Sequence, residues 1–378
     1  MNTNFDVAVV GLGVMGSSVL AALSKRMVTI GIDEGDGRAW LPASFADTRV
    51  SRSRDVKGNR SFELQFCNDS WLELSSEARV PVCYGNGALT LFDGEASAQR
   101  YCDSLGVHAP DLLYGEELAS VAGVKVRAVC GLSDPGALTI MAERSVTELR
   151  NRARLNGAEI VEECVDLGEI LALWTRSREI QLRGHAIRAR YLVIATGARM
   201  PRGSSVRIVN QPAPSFWFQS DDPSWDVQTS PYLEANVGFR DSLLIVPPVD
   251  GQFKIRRFLP PTVLGSAFAV LGERGASLVP RMMLDGVSRI PRRGWPLLSM
   301  RQMRRSQDEA RSDVRATLGA GFRLAAHDQS FYSYIYGRRN HRFFHFEDAV
   351  LTVTPPLGTG FKFAPAVAAQ VNTTLIGA

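Results

Sequence analysis

Lysine is nearly missing from this chain. Of 43 basic residues only Lys25, Lys57, Lys125, Lys254 and Lys362 are lysine, against 38 arginines. So strong a bias is that of a high-GC coding genome and points to a bacterial source. A lysine that survives it marks a position where a compact ammonium is needed and arginine's broad fork does not fit. Cysteine is scarce too: Cys67, Cys83, Cys102, Cys130 and Cys164 are odd in number and lack metal-type spacing. That argues against a disulfide framework and against a metal site, and favours a reduced, cytoplasmic interior. No apolar run is long enough to span a bilayer, so no membrane partner is expected. The apolar stretch Val7–Leu23 follows Asp6 instead of a basic segment, carries three glycines and lacks a small-residue cleavage site, which argues against a secretory signal. A net charge of only +4 does not make the electrostatic footprint of a nucleic-acid binder. Low-complexity blocks and internal repeats are absent.

What is there begins at residue 6. An apolar strand, Val7–Val10, runs into Gly11, Gly13 and Gly16; a helix carries Val19, Leu20 and Leu23 inward; a second strand ends on Asp33. In a dinucleotide fold the first glycine allows the tight turn, the second admits a pyrophosphate against bare backbone, and the third brings helix and strand together. The N–H groups at the helix start face the phosphates, and Asp33 is placed to accept hydrogen bonds from the adenosine ribose. A glycine triplet alone is weak; with a strand before it, a helix after it and a carboxylate ending the next strand, it is strong.

At 378 residues the chain is long enough for two domains. Residues 61–78 read as a helix with Phe62, Phe66 and Leu72 available for an inward face. Residues 80–84 and 88–92 read as short strands around Gly85-Asn86-Gly87, and 137–156 as a helix stopped by Gly157. A meander of strands is expected over 159–164, 170–175, 179–182 and 187–194, the last apolar enough to be buried on both faces. From Gln211 to about Val270 the alternation reads as an antiparallel sheet, then residues 299–315 as a polar helix and 349–354 as a strand before a small-residue helix. The expected architecture is α/β: a discontinuous Rossmann-like domain of residues 1–78, 137–210 and 326–378, with an inserted antiparallel-sheet (α+β) substrate domain of 79–136 and 211–325. The strand running into Ala195-Thr196-Gly197 is a second signature, seen in flavoproteins, and favours FAD over NAD.

Four motifs stand in one order: Gly11-Leu-Gly-Val-Met-Gly16, Asp47-Thr-Arg-Val-Ser-Arg52, the segment ending in Ala195-Thr-Gly197, and Gly358-Thr-Gly-Phe-Lys362. Together they resemble the monomeric sarcosine oxidase and N-methyltryptophan oxidase branch of the D-amino-acid-oxidase-like FAD enzymes. The likeness covers both ends and much of the middle, and is poor over 260–325. It implies that Arg52 and Lys362 hold a substrate carboxylate over the flavin, where a buried carboxylate needs charge-assisted donors. It implies that Lys254 stands beside the flavin to activate oxygen, that Arg49 lies close to the flavin ring, and that Tyr332 and Phe45 line the pocket. Cofactor contacts carried over are Gly11, Gly13, Gly16, Asp33, Thr48, Arg49, Val165 (a backbone contact to the adenine half), Thr196, Gly197, Gly358, Thr359, Gly360, Phe361 and Lys362.

Two departures matter. The family's flavin is usually attached through a cysteine whose position here is Ser330, and no cysteine follows Cys164. A histidine that often precedes the Asp-Thr-Arg segment is Phe45. FAD is therefore expected to be held non-covalently beside a pocket more apolar on that side. The activity implied is oxidation of the C–N bond of a secondary, N-methylated or cyclic amino acid to an imine, with oxygen reduced to peroxide. The alternatives are an amino-acid dehydrogenase with another acceptor, an NAD-linked dehydrogenase, and a catalytically silent flavin-binding interaction protein. Arg289, Arg292, Arg293, Arg301, Arg304 and Arg305 form a cluster that reads first as a solvated face and second as a dock for an acidic carrier protein.

Overall fold

The computed structural model describes residues 3–34, 48–53, 61–105, 112–197, 207–235, 243–257, 300–336, 344–353 and 360–377, with 61–62, 207–213, 257, 300–302 and 329–336 described by backbone alone. In chain order the elements are β1 (Asn4–Val10), α1 (Val14–Leu23), β2 (Thr29–Asp33), β3 (Thr48–Ser51), α2 (Ser61–Glu77), β4 (Cys83–Tyr84), β5 (Ala88–Phe92), α3 (Glu95–Leu105) and α4 (Gly115–Ala122). Next come β6 (Cys130–Asp134), β7 (Leu138–Met141), α5 (Ala142–Leu155), β8 (Glu159–Glu162), α6 (Leu167–Ser177), β9 (Glu179–Leu182), β10 (His185–Ile194) and β11 (Arg207–Gln219). The last are β12 (Tyr232–Ala235), β13 (Leu243–Val249), β14 (Gln252–Arg257), α7 (Met300–Thr317), β15 (Arg323–Tyr336), β16 (Phe344–Glu347), β17 (Val350–Val353) and α8 (Gly360–Ile376).

The chain forms two compact units, one of residues 1–47, 142–210 and 332–378, the other of 48–141 and 211–331. The first is built on a sheet of order β16-β17-β10-β1-β2-β8, with β9 on β10. Its strands β1, β2, β8, β10 and β17 run parallel. Such a sheet is buried on both faces, and Val7, Val9, Leu192, Val193 and Ile194 are all fully buried. Helix α1, apolar almost all round, packs against α5 and α8.

Three expectations fail, for reasons local in one place and distant in sequence in another. The expected strand 170–175 is helix α6: Asp166 caps it by accepting from the N–H groups of Gly168 and Glu169 at 2.8 and 3.3 Å. Its buried residues are Ile170 and Trp174, four apart as on one helix face. The expected meander is therefore a parallel strand, a helix and the β9–β10 hairpin. The expected helix 137–156 starts only at Ala142, because Leu138–Met141 is a strand pairing with both β3 and β4. Its end is as read, with Gly157 at φ +91°.

The second unit holds that small sheet, β3-β7-β4, and a large one of order β15-β11-β14-β13-β12-β5-β6. Pairing through β7 is why residues 48–78 and 137–141 group here and not with the dinucleotide-binding part. Helix α2 exists as read, but its inward stripe is Leu64, Cys67, Asn68, Trp71 and Leu74; Phe66 and Leu72 are 44% and 42% exposed. The stripe recurs at three- and four-residue steps, and Phe66 falls off it. Alternation along the large sheet turns Leu89, Leu91, Leu233, Ile245, Phe253 and Ile255 to one face, which α4 covers with Leu118 and Ala122 and α7 with Met303, Ala310 and Val314. Phe253 is the hub, with ring centroids 5.5 Å from Phe218, 4.9 Å from Trp225 and 5.0 Å from Phe322. Of the 80–84 strand only Cys83–Tyr84 forms, and the antiparallel sheet after Gln211 is present as β11, β13 and β14 with β12 beside them.

Candidate active site

In the first unit the glycine turn is made of close approaches. Gly11 has φ +89°, and a Cβ there would lie 2.8 Å from the Ala195 carbonyl oxygen, so the turn and the Ala195-Thr196-Gly197 exit touch. A Cβ on Gly16 would stand 1.8 Å from the Gly11 oxygen. Gly13 is the N-cap of α1 without a side-chain cap, and no acid lies in that first turn to compete with a phosphate. Gly360, the first residue of α8, sits over the same turn: a Cβ on it would be 3.9 Å from both Val14 and Met15. The glycine turn thus leaves bare backbone before the α1 N-terminus, with the start of α8 close by against the Val14 and Met15 side chains, which is an anion cradle and fits the pyrophosphate of a dinucleotide.

Asp33 ends β2, 9% exposed. Its Oδ2 accepts from the Leu12 N–H at 3.1 Å and pairs with Arg150. Arg150, in α5, also donates to the Leu12 carbonyl, at 3.2 Å from Nε and 2.5 Å from Nη2. A guanidinium from a third element therefore ties the carboxylate to the turn. Sequence reasoning missed Arg150, one arginine among many on an otherwise ordinary amphipathic helix. Val165 lies half-buried against the core under β1 and β2. Phe361 is buried in α8. Lys362 is the third residue of α8, where the helix dipole disfavours a cation; an ammonium kept there needs another reason. Phe45, Gly358 and Thr359 lie outside the described residues. Tyr332 and Ser330 are in β15, described by backbone alone.

In the second unit the other predicted residues gather. Thr48 is buried in β3, and Arg49 next to it is partly buried, Nη1 donating to the Thr48 carbonyl at 2.7 Å. Lys254 in β14 is 4% exposed, its ammonium 5.2 Å from the centroid of Trp217. Register shows what surrounds it. Lys254 pairs with Trp217 and Val246, Arg256 with Ser215 and Leu244, and Glu234 with Thr90 and Leu244. One face of the large sheet thus presents Thr90, Tyr232, Glu234, Lys254, Arg256, Ser215 and Trp217, opposite the face filled by Phe253 and its neighbours. Glu234, Lys254 and Arg256 are nonetheless 4%, 4% and 5% exposed. Among the described residues the hydroxyls of Tyr232 and Ser215, fully buried, have no hydrogen-bond partner.

Arg52 is held on this side of the chain. Its Nε donates to Glu234 Oε1 at 2.9 Å and its Nη2 to Oε2 at 2.5 Å, a bidentate ion pair. Burial, the largest single effect, acts to lower the Arg52 pKa, but Glu234 together with Tyr101 and Tyr232 outweighs it and the net shift is upward, so the guanidinium stays charged. Burial, then Glu234, pushes the Tyr232 phenol well above its usual value, and burial raises Tyr101 despite Arg52. Glu234 and Tyr232 were legible only as a two-residue alternation in a four-residue strand, too short to mark a site. Of the arginine cluster, Arg304 and Arg305 are exposed on α7, and Arg305 pairs with Glu309 at 3.0 Å, as on a solvated helix face; Arg289, Arg292 and Arg293 lie outside the described residues, and Arg301 is described by backbone alone. Among the described residues no helix is long and apolar enough to cross a membrane, and no group of three metal-ligating side chains occurs.

A parallel sheet ending in this glycine turn defines a dinucleotide-binding oxidoreductase fold. The chain belongs to the DAO family of FAD dependent oxidoreductases, which matches residues 6–322. FAD is the family's cofactor, and the cradle described above fits it. The segment Gly358–Lys362 lies beyond the matched residues. A curated relative, monomeric sarcosine oxidase from Bacillus sp. (strain NS-129), is 27% identical over 170 residues, which span 43% of this chain and 44% of that protein. Glycine oxidase from Geobacillus kaustophilus shares the fold at a TM-score of 0.70 with 16% identity, covering 100% of this chain and 95% of that one. L-Proline dehydrogenase from P. horikoshii does so at 0.68 with 13% identity, covering 100% and 94%.

Proposed function

We propose that the protein oxidises the C–N bond of an amino acid whose nitrogen is secondary, N-methylated or part of a ring, and passes the electrons to oxygen. The observation that carries this is the buried, charged sheet face of the second unit, where Lys254 survives in a lysine-poor chain at 4% exposure. Burying an ammonium is costly unless its surroundings pair it, so a sheet face built to hold one is a place where a fixed positive charge can be used. Bound FAD supplies the acceptor for the two electrons of the oxidation. The chain's own residues do the rest. Arg52 and Lys362 bind the substrate carboxylate, Arg49 and Tyr332 position the ring system and the substrate, and Phe45 keeps one wall apolar. Lys254 supplies the fixed positive charge on which superoxide, formed from oxygen, is stabilised. The named activities of the three similar proteins, on sarcosine, glycine and L-proline, support an amino-acid substrate.

FAD is held in this reading without a covalent bond, by the glycine turn, the α1 N-terminus and Asp33. Acid precipitation should leave a colourless pellet and a yellow supernatant; a pellet that stays yellow overturns the non-covalent assignment. The function is tested by mixing the purified holoenzyme anaerobically with N-methyl and cyclic amino acids and following flavin bleaching, then admitting oxygen and measuring peroxide. Bleaching with one peroxide per turnover is expected. Bleaching without peroxide would mean another electron acceptor, and no bleaching by any amine a silent flavoprotein.

A further inference from the structure

Arg52 is the residue assigned to an incoming carboxylate, yet the structure already gives it one. Of its five N–H donors, two are taken by Glu234, at 2.9 and 2.5 Å, with the side chains only 23% and 6% exposed. Beside this pair is a cavity of about 20 Å³ lined by Arg52, Thr90, Tyr101, Ser133, Asp134 and Glu234, among others. That is room for one water-sized group, an ammonium for example. Asp134 is held in place by the Ser53 N–H at 3.0 Å and by the Ser53 hydroxyl. On the same face of β12 as Glu234 stands Tyr232, fully buried, its hydroxyl without a partner among the described residues. Its register neighbour Ala88 lines the cavity.

The charges of the described lining residues do not balance. One guanidinium faces two carboxylates, and the phenols stay neutral. A simple anion brought to Arg52 would put a third carboxylate around one cation, with like charges repelling at low dielectric. A zwitterion's ammonium raises the cations to two against three anions, where a plain anion leaves one against three, and a second ammonium on a diamino acid makes three against three. Building on the amino-acid oxidase reading above, we propose that this cavity is an ammonium subsite. Glu234 and Asp134 take a cationic nitrogen of a zwitterionic or diamino substrate, and the remaining N–H groups of Arg52 serve its carboxylate. Glu234 is then a specificity-determining residue that turns the arginine away from plain anions.

The test is calorimetric titration of the holoenzyme with two matched pairs: proline against cyclopentanecarboxylate, and ornithine against norvaline. The first pair reports a cationic nitrogen at the α-carbon, the second one at the end of the side chain. In at least one pair the ligand with the extra nitrogen should bind at least tenfold more tightly than its match. Glu234→Gln, which still offers an oxygen to Arg52, should bring that ratio close to one, chiefly by raising affinity for the plain anion. Should this variant fail to fold, Asp134→Asn leaves the Arg52–Glu234 pair whole and should lower the ratio severalfold. Equal affinities within both pairs, no binding by any of the four, or a ratio unchanged in the folded variants would overturn the subsite. Anaerobic flavin bleaching is read in parallel. The expected preference without bleaching by any amine sinks the oxidase reading and leaves the subsite standing; bleaching with a ratio of one does the reverse.

Discussion

The two large sheets solve opposite problems. In the first unit the central strands β1, β2 and β10 run parallel and are buried toward their C-terminal ends, and the candidate cradle is the backbone beyond them: a glycine turn, a helix N-terminus and one carboxylate. In the second unit one sheet face is packed with aromatic and aliphatic side chains under α7, while the other carries Tyr232, Glu234, Lys254 and Arg256 out of water. A site made of backbone tolerates almost any neighbouring side chain but no Cβ at its contacts. A site made of side chains tolerates backbone variation but requires every charge to find a partner.

The sharpest way to break the first half is Gly16→Ala. With a Cβ 1.8 Å from the Gly11 oxygen the turn cannot close, and the variant should lose FAD altogether, read as absent 450 nm absorbance in purified protein. Stoichiometric FAD in that variant would mean the turn is not the cradle. In the second half, Glu234→Ala strands the Arg52 guanidinium and should destabilise the protein by about 3–5 kcal/mol in urea unfolding, whereas the double change to methionine at both positions should be close to neutral. A single variant as stable as the parent would contradict the paired geometry. A smaller effect is expected from Lys254→Met: reoxidation by oxygen should slow by at least about tenfold, ~1.4 kcal/mol, with anaerobic reduction little changed. Stopped-flow traces in which only reduction slows would remove the oxygen role.

The smallest effect is an alkaline one. The folded pKa of Tyr232 lies above its unfolded value near 10, so its contribution to stability is complete below that value. It is lost as pH rises past it, when the unfolded chain gives up its proton first. The groups facing it are Glu234, Arg52, Asp134 and Tyr101. Tyr232→Phe should therefore flatten the decline in stability above pH 10, and phenolate absorbance at 295 nm should rise by one residue more when the parent unfolds in alkali than when the variant does. An unchanged decline would show that this phenol does not titrate late.

The amino-acid sequence by itself determined the dinucleotide half. Gly11, Gly13, Gly16 and Asp33 are read from their spacing because the constraint is steric and local: a turn that must pass a phosphate admits no side chain, whatever lies elsewhere in the chain. Lys254 was legible for a compositional reason, as a cation retained where arginine is the rule. The helix at 167–177 was misread because an Asp166 cap outweighs a short apolar run, and the strand at 138–141 because its partners stand far off in sequence. Only the tertiary structure decided what Arg52 faces. Glu234 is 182 residues away, and whether a guanidinium waits for a ligand or is already matched depends on the charge brought within hydrogen-bond reach, which no local pattern encodes.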